Sequence, residues 1–313
     1  MTDALETLRS ALTAEYDVLG EIGRGGMATV YLGLQRHPRR KVAIKVMNPA
    51  VPSPTARDRF RREIELAGQL SHPHIVPIFA AGGAGDLLYY VMPYIEGEAL
   101  RARLERGPRL GLEEILHFTR DAADALAYAH AHGIIHRDIK PENILISEGH
   151  TMVADFGLAG ACDACGFERL TMPDTVMGTP GYMSPEQAMG SAKSDERTDI
   201  YSLGCVLYEM LVGEPPATWP DRSSARSGRM TDTPPEHRRS LDLVPREFER
   251  VLAKALAKEP EDRFATAAEF HAALTSLSVR PAAARPGRFW RVAVVVATAA
   301  LALAGALALI LSR

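Results

Sequence analysis

The chain has 313 residues, of which 46% are hydrophobic and 24% are charged, and its formal net charge is −3. This length exceeds one average domain and fits a two-lobed enzyme, whereas the nearly balanced charge gives no sign of nucleic-acid binding. Three cysteines are too few for a disulfide framework, and the first residues lack the basic and apolar regions of a secretory signal.

The first part of the chain predicts a β-rich lobe that contains one long helix. Residues 1–15 predict a short helix, which we treat as an N-terminal extension. Within residues 16–95, strand-type segments surround a helical pattern at 55–70. The apolar runs at 42–46 and 87–92 have the length of strands. We therefore expect an N-lobe over about residues 16–95.

A glycine-rich segment precedes the strand at 42–46. Glycines in such a segment let a hairpin lie flat over phosphate groups and offer backbone N–H groups to them. The pattern alone is a weak signal, but it becomes specific because Lys45 follows it in an Ala-Ile-Lys strand. The residues expected to contact a nucleotide here are Ile22, Gly23, Arg24, Gly25, Gly26, Met27, Ala28, Thr29 and Val30.

The chain from about residue 96 to residue 277 predicts a helical C-lobe. Apolar positions recur at helical spacing in residues 112–132, 200–211, 248–256 and 267–277. In the first of these segments they are Ile115, Phe118, Ala122, Leu126 and Ala129. Residues 214–240 are rich in Pro, Ser and Arg and predict a long polar loop. The predicted fold class is α+β, with a hinge near residues 93–97 between the two lobes.

Two motifs in the C-lobe indicate the chemistry. Residues 136–143 are His-Arg-Asp-Ile-Lys-Pro-Glu-Asn, and residues 155–157 are Asp-Phe-Gly. Phosphoryl transfer needs a carboxylate that accepts the proton of the substrate hydroxyl. It also needs an amide oxygen and a second carboxylate that hold magnesium over the phosphates. Asp138, Asn143 and Asp155 supply these groups in the expected order.

On these motifs the chain resembles a eukaryotic-type (Hanks-type) serine/threonine protein kinase of the bacterial membrane-anchored type, over residues 16–277. The resemblance implies ATP and Mg²⁺ (or Mn²⁺) as cofactors and protein Ser/Thr side chains as substrates. It also implies that Asp138 is the catalytic base and that Lys140 neutralises the transferring phosphate. Asn143 and Asp155 would bind the metal.

The same resemblance implies how ATP is bound. Lys45 would bridge the α- and β-phosphates, with Glu63 rather than Glu65 as its ion-pair partner. The kinase glycine pattern would place its third glycine at position 28, where this chain has Ala28. The residues expected around the adenine are the gatekeeper Met92, Pro93 and Ile95 of the hinge, and the apolar walls Ile22, Val30, Ala43 and Leu145.

Residues 155–186 would form an activation segment. By the resemblance, Arg137 helps to bind a phosphate on this segment, and the candidate autophosphorylation sites are Thr171 and Thr175. Thr179 matches the family threonine that contacts the catalytic Asp and Lys. A transient homodimer would allow phosphorylation in trans.

Three further residues have implied structural roles. Glu186 should pair with Arg263, and Asp199 should brace the catalytic loop from the long C-lobe helix.

Related kinases carry a short docking helix where this chain has the polar residues 217–240, which puts docking through that surface in doubt.

A pair of cysteines and two rival functions leave alternatives open. Cys162 and Cys165 have C-x-x-C spacing, which fits a redox pair, half a zinc site, or two small residues in a variable loop. A pseudokinase scaffold would be expected to lack one of the four residues that bind or act on the phosphates. All four are present: Lys45, Asp138, Asn143 and Asp155. A small-molecule phosphotransferase would lack the Gly-Thr-Pro-Gly-Tyr-Met-Ser-Pro-Glu segment.

The end of the chain predicts a transmembrane helix at residues 291–311, after a juxtamembrane linker at 278–290. Residues 292–311 are uncharged, and at about 1.5 Å per residue they match a hydrocarbon core of roughly 30 Å. The residues near its start are aromatic or basic: Phe289, Trp290, Arg280, Arg285, Arg288 and Arg291. By the positive-inside rule we expect a single-pass membrane protein with a cytoplasmic kinase domain. The competing interpretation is a buried Ala-rich helix.

Overall fold

Two lobes, one built on a sheet and one mainly helical, make up the part of the chain that is described. The structure, a computed structural model, describes residues 2–25, 28–47, 54–85, 87–107, 109–156, 180–190, 195–216 and 245–277. Both lobes belong to one compact unit, Met1–Leu277.

The N-lobe is a five-stranded antiparallel sheet with two helices. Its elements are α1 (Thr2–Leu12), β1 (Tyr16–Arg24), β2 (Ala28–Gln35), β3 (Arg40–Met47), α2 (Pro54–Ala67), β4 (Ala80–Ala84) and β5 (Leu87–Pro93). The strand order is β1-β2-β3-β5-β4. The strands predicted at 42–46 and 87–92 and the helix predicted at 55–70 are therefore confirmed as β3, β5 and α2.

Strict alternation along β5 explains why the sheet has a helix on each face. Leu87 and Val91 belong to a core that also contains Leu8 of α1. Leu88 and Tyr90 belong to a separate core with Phe60 of α2. Because successive side chains of a strand point to opposite faces, one strand serves both cores.

Helix α1 is part of the N-lobe core, whereas the sequence suggested only a preceding extension. Leu8 and Leu12 are 0% and 5% exposed. The guanidinium of Arg9 donates to the backbone oxygen atoms of Val18 and Leu19 in β1 at 3.2 and 3.3 Å. The apolar side chains of α1 thus cover one face of the sheet.

The C-lobe contains six α-helices and a small three-stranded sheet among the described residues. Its elements are β6 (Glu98–Ala99), α3 (Leu100–Arg106), α4 (Leu112–Ala131), β7 (Ile144–Ser147), β8 (His150–Val153), α5 (Pro185–Ala188), α6 (Arg197–Val212), α7 (Arg246–Ala255) and α8 (Ala267–Ser276). Helix α4 packs against α6, α8 and β8. The sheet order is β6-β7-β8, and the hinge at 93–97 joins β5 to β6.

The four predicted C-lobe helices are confirmed as α4, α6, α7 and α8. All five apolar positions named for α4 are buried. Helix α6 is buried nearly all round, as expected for a helix at the centre of a lobe. No helix among the described residues is long and apolar enough to cross a bilayer. The segments predicted as the linker, the transmembrane helix and most of the polar loop lie outside the described residues.

Candidate active site

Asp199, in the first turn of α6, fixes the backbone that leads to Asp138. It is fully buried. Its Oδ2 accepts from the N–H of His136 at 2.8 Å and lies 2.8 Å from Nε2 of His130, and its Oδ1 accepts from the N–H of Arg137 at 2.7 Å. Burial raises the pKa of Asp199, but the His130 hydrogen bond and nearby imidazole charges outweigh it and hold the pKa below its usual value. The expected brace is therefore present.

The three residues predicted to act on the transferring phosphate lie together. Lys140 Nζ donates to Asp138 Oδ2 at 2.7 Å. Asn143 Nδ2 donates to the backbone oxygen of Asp138 at 2.8 Å and to its Oδ2 at 3.1 Å. The Asp138 side chain remains 38% exposed. A carboxylate is thus held in one orientation beside a cation while it stays accessible, as proton acceptance and charge stabilisation require.

Asp155 connects the two lobes through its carboxylate. Lys45 Nζ, from β3, donates to Oδ2 at 2.5 Å, and the Tyr90 hydroxyl, from β5, donates to Oδ1. Burial raises the pKa of Asp155, but the charge and hydrogen bond of Lys45 and the Tyr90 hydrogen bond bring it below its usual value. The sequence predicted Lys45 and Asp155 as site residues but not Tyr90, because nothing local marks a strand tyrosine as a partner of a distant carboxylate.

Asn143 and Asp155 fit the oxygen ligands that Mg²⁺ prefers. The backbone oxygen of Asn143 accepts from the N–H of Ala154 at 2.9 Å, so Asn143 is tied to the residue that precedes Asp155. His136 Nε2 lies 2.8 Å from the oxygen of Ala154. Because the Asn143 amide nitrogen is directed at Asp138, its amide oxygen is the atom that can bind a cation.

The strand register places the predicted nucleotide-binding residues on one face of the N-lobe sheet. Ala43 lies opposite Met92, Lys45 opposite Tyr90, and Val30 opposite Lys45. Directly opposed residues in antiparallel strands share a face. This face is opposite the one that α1 covers, since Val42, Ile44 and Val46 belong to the α1 core. Lys45 and the predicted wall residues Ala43 and Val30 are thus brought together.

The hinge and the glycine-rich segment are described only in part. Pro93 is the last residue of β5, and Ile95 lies two residues after it. Leu145 lies in β7, opposite Ala99 of β6. The predicted site residues Pro93, Ile95 and Leu145 are all partly buried. Ile22 is 48% exposed. Gly23 and Gly25 lie at the end of the β1–β2 hairpin, where Gly25 N–H donates to the Ala28 oxygen at 2.8 Å. The Arg24 side chain pairs with Glu21, and Thr29 is buried in β2. Gly26 and Met27 lie outside the described residues.

Glu63 and Glu65 lie on α2 with different environments. Glu63 is partly buried, whereas Glu65 is exposed. Two positions along a helix correspond to about 200°, so only one of the two can face the sheet. The burial pattern favours Glu63 for the position facing Lys45.

The segment Pro185–Ala188 is anchored by a buried ion pair. Arg263 donates to both carboxylate oxygens of Glu186, at 2.7 and 2.8 Å. Burial raises the pKa of Glu186, but the hydrogen bond and charge of Arg263 together with further hydrogen bonds outweigh it, so the net pKa lies below the usual value. Gln187 donates to the Arg137 oxygen at 2.9 Å, which ties this segment to the loop of Asp138. The predicted Glu186–Arg263 pair is confirmed.

A network around Arg101 was not predicted. Arg101, from α3, donates to Glu142 at 2.9 Å and to Glu209 at 2.7 Å, and it also contacts the Tyr182 hydroxyl. Tyr182 in turn donates to Glu209. Burial and the hydrogen bond to Glu209 raise the pKa of Tyr182. These contacts join α3, α6 and the end of the activation segment beside Lys140. The sequence offered no signal for them, because the four residues are far apart along the chain.

Several predicted residues lie outside the described part of the chain. They are the candidate phosphosites Thr171 and Thr175, the substrate-contacting Thr179, and the cysteines Cys162 and Cys165.

Comparisons with known proteins agree with this geometry. The family model described as "Protein kinase domain" matches residues 16–274. The chain is 42% identical over 264 residues to the serine/threonine-protein kinase PknB of Mycolicibacterium smegmatis, covering 82% of this chain and 42% of the relative. It is 38% identical over 264 residues to the serine/threonine-protein kinase PrkC of Bacillus subtilis, covering 83% and 40%. The chain therefore spans about two fifths of the length of these relatives.

A solved structure also matches. The crystal structure of a mutant of the Mycobacterium tuberculosis PknI kinase domain superposes with a TM-score of 0.66 at 29% sequence identity. The match covers 84% of this chain and 95% of that one.

Proposed function

Since the chain belongs to the protein kinase family, we propose that it transfers the γ-phosphate of ATP to serine and threonine hydroxyls of proteins. The observation that carries this proposal is the contact of Asp138 with both Lys140 and Asn143. Its relatives PknB and PrkC, which are named as serine/threonine-protein kinases, support the same class of acceptor.

In this proposal the residues of the C-lobe position and polarise the acceptor. Asp138 accepts the proton of the substrate hydroxyl, and its carboxylate is already oriented by Lys140 and Asn143. Lys140 then stabilises the negative charge on the phosphoryl group during its transfer. A small cavity beside Asp138 is lined also by Tyr182, Met183, Gln187 and Ser202. Most of the catalytic effect is positioning and electrostatics.

The N-lobe would hold ATP. Lys45 would contact the phosphates, with Glu63 orienting it, and the backbone of Pro93 and Ile95 would hydrogen-bond the adenine. The glycine-rich segment would cover the phosphates with its backbone N–H groups. The shared sheet face of Val30, Ala43, Lys45 and Met92 supports this arrangement.

Magnesium would be held by the amide oxygen of Asn143 and the carboxylate of Asp155. The ion neutralises phosphate charge when it is bound. The lowered pKa of Asp155 supports the role, because it keeps the carboxylate anionic and able to bind a cation near neutral pH.

The test is the intact mass of the full chain, purified in detergent, after incubation with ATP and Mg²⁺, beside Asp138→Asn. We expect added phosphate on the wild type, or on a generic Ser/Thr protein substrate, and none with the variant. Absence of transfer by the wild type to itself and to the substrate would instead favour an ATP-binding scaffold. Equal transfer by both proteins would rule out the role of Asp138.

We further infer that Thr171 or Thr175 is autophosphorylated. The support is that Asp199 and Gln187 hydrogen-bond the backbone of Arg137, the residue that the family uses to bind such a phosphate. A Thr171→Ala/Thr175→Ala double variant should lose phosphate and activity. Full activity with an unchanged phosphate count would refute the inference.

We also infer that residues 291–311 anchor the kinase in a membrane as a single-pass helix, with the kinase domain in the cytoplasm. The uncharged run at 292–311 and the preceding arginines support it. The full chain should stay in the membrane pellet after carbonate extraction, and a chain truncated at residue 285 should not. Recovery of both in the supernatant would contradict the anchor.

If copies phosphorylate one another as transient homodimers, activity per enzyme should rise with surface density in liposomes.

A further inference from the structure

A cluster of two histidines and an aspartate lies outside the residues assigned to phosphate transfer. His117 and Asp121 are one turn apart on α4, and His150 is the first residue of β8. One ligand atom from each of the three residues lies within 4.8 Å of the others. Because residues at i and i+4 lie on one face of a helix, α4 presents both of its ligands to the start of β8.

The distances are close to those of a metal site. His117 Nε2 lies 3.7 Å from Asp121 Oδ2, and His150 Nδ1 lies 4.0 Å from the same oxygen. Ligands at 2.0–2.1 Å from a tetrahedral zinc ion are about 3.3 Å apart. The difference is under 1 Å for both pairs. The two imidazoles are 47% and 66% exposed, so their side chains can turn inward without disturbing the core.

Asp121 is held in place for such a role. Its side chain is 9% exposed, and its Oδ2 accepts from the backbone N–H of Thr151 at 2.9 Å. His74 Nδ1 lies 3.6 Å from this oxygen and 2.8 Å from the Thr151 backbone oxygen. A buried carboxylate needs a positive partner or several hydrogen bonds. The imidazoles of His117 and His150 would meet this need as co-ligands of a cation bound to the same carboxylate.

We propose that His117, Asp121 and His150 form a binding site for a divalent first-row transition metal of the Zn²⁺ type. Imidazole nitrogens suit Zn²⁺, whereas Mg²⁺ prefers oxygen ligands throughout. A water molecule would complete the tetrahedron. The hydrogen bond from Thr151 to the ligating carboxylate is the kind of supporting contact that metal sites use to orient their ligands.

The site would tie α4 to β8. Strand β8 ends at Val153, two residues before Asp155, so the metal would stabilise the strand that leads to the phosphate-transfer site. It would contact none of the residues assigned to ATP or to the acceptor. The proposal is therefore independent of the proposed kinase activity.

The test is a titration of the full chain, stripped with EDTA, with Zn²⁺ by calorimetry and by thermal unfolding. We expect one site whose affinity falls at least about tenfold in His117→Asn and in His150→Asn. At a hundredfold excess of Zn²⁺ over its dissociation constant, the unfolding temperature of the wild type should rise by roughly 5 °C. Mg²⁺ should not displace Zn²⁺.

Two controls separate this site from other zinc ligands. His132→Asn, an exposed histidine just after α4, should bind Zn²⁺ as the wild type does. A Cys162→Ser/Cys165→Ser variant should also retain the site. Loss of binding in the cysteine variant alone, or an unchanged titration in His117→Asn and His150→Asn, would overturn the proposal, as would no binding by the wild type. In those cases the three side chains are neighbours that hold no metal ion.

Discussion

Replacement of Arg263 by methionine should strongly destabilise the C-lobe. The Arg263 side chain is 0% exposed and that of Glu186 is 9% exposed. Besides both carboxylate oxygens, the guanidinium donates to the backbone oxygens of Ala257, Lys258 and Arg197 at 2.8, 2.9 and 3.1 Å. Arg263→Met keeps most of the volume but leaves a buried carboxylate without its cation.

The magnitude follows from that stranded charge. Removal of one partner of a buried ion pair costs about 3–5 kcal/mol. For a domain of this size, that loss corresponds to about 6–20 °C in the unfolding temperature. A matched control is Arg36→Met, whose pair with Asp17 is exposed at 43% and 47%. That pair should contribute only about 0–1 kcal/mol.

The assay is urea and thermal unfolding of four proteins: the wild type, Arg263→Met, Arg36→Met and the double variant Glu186→Gln/Arg263→Met. The double variant should be more stable than Arg263→Met, because it no longer buries an unpaired charge. If Arg263→Met costs no more than Arg36→Met, the reasoning is wrong. It is also wrong if the double variant shows no recovery.

The pH dependence of this pair has a defined sign. The pKa of Glu186 in the folded protein lies below its ordinary value of 4.5. A lowered pKa means that the stabilisation is complete above the unfolded pKa and is lost as pH falls through the folded pKa. In Arg263→Met the burial that raises the pKa of Glu186 acts without the opposing guanidinium, so the variant regains stability when the carboxylate takes up a proton. The stability gap between the wild type and Arg263→Met should therefore narrow as the pH falls from 7, and it should narrow further once the pH falls through the lowered pKa of Glu186 in the wild type. A gap that widens on acidification would contradict the assignment.

Three other substitutions test separate parts of the structure. Lys45→Met should lower the rate of phosphate transfer to a generic protein substrate by at least about 10²-fold, and a wild-type rate would exclude its role. Asp199→Asn should cost about 1.5–3 kcal/mol in urea unfolding and reduce kcat, because the charge that holds the Asp138 loop is lost. Leu8→Ala should cost about 2–5 kcal/mol, whereas Leu19→Ala, at a 53% exposed position, should cost little; equal costs would deny α1 a place in the core.

The elements and the C-lobe site were predictable because their signals are local. Asp138, Lys140 and Asn143 lie within one short segment, so the contacts among them follow once that segment adopts its conformation. The strands β3 and β5 follow from short apolar runs. The packing of α1 had a signal too, since Leu5, Leu8 and Leu12 fall on one helical face, but a helical face does not name its partner.

The contacts that were not predictable depend on tertiary register. Tyr90 reaches Asp155 only because β5 presents it on the face opposite Val91, and because Asp155 adopts a positive φ of 68°. The four residues of the Arg101 network come from four separate segments. In both cases no local sequence pattern marks these residues as partners.

The residues just before Asp155 show how segments far apart in the sequence fix the position of this residue. Val153 N–H donates to the His74 oxygen, and the N–H of Val76 donates to the Val153 oxygen, both at 2.9 Å. The N–H of the next residue, Ala154, donates to the backbone oxygen of Asn143, and the Ala154 oxygen lies 2.8 Å from His136 Nε2. Backbone contacts with segments of both lobes therefore help to place Asp155, in addition to its own side-chain contacts. The proposed metal site lies at the opposite end of this same strand, so its occupancy should be measurable as added rigidity of β8 by hydrogen exchange.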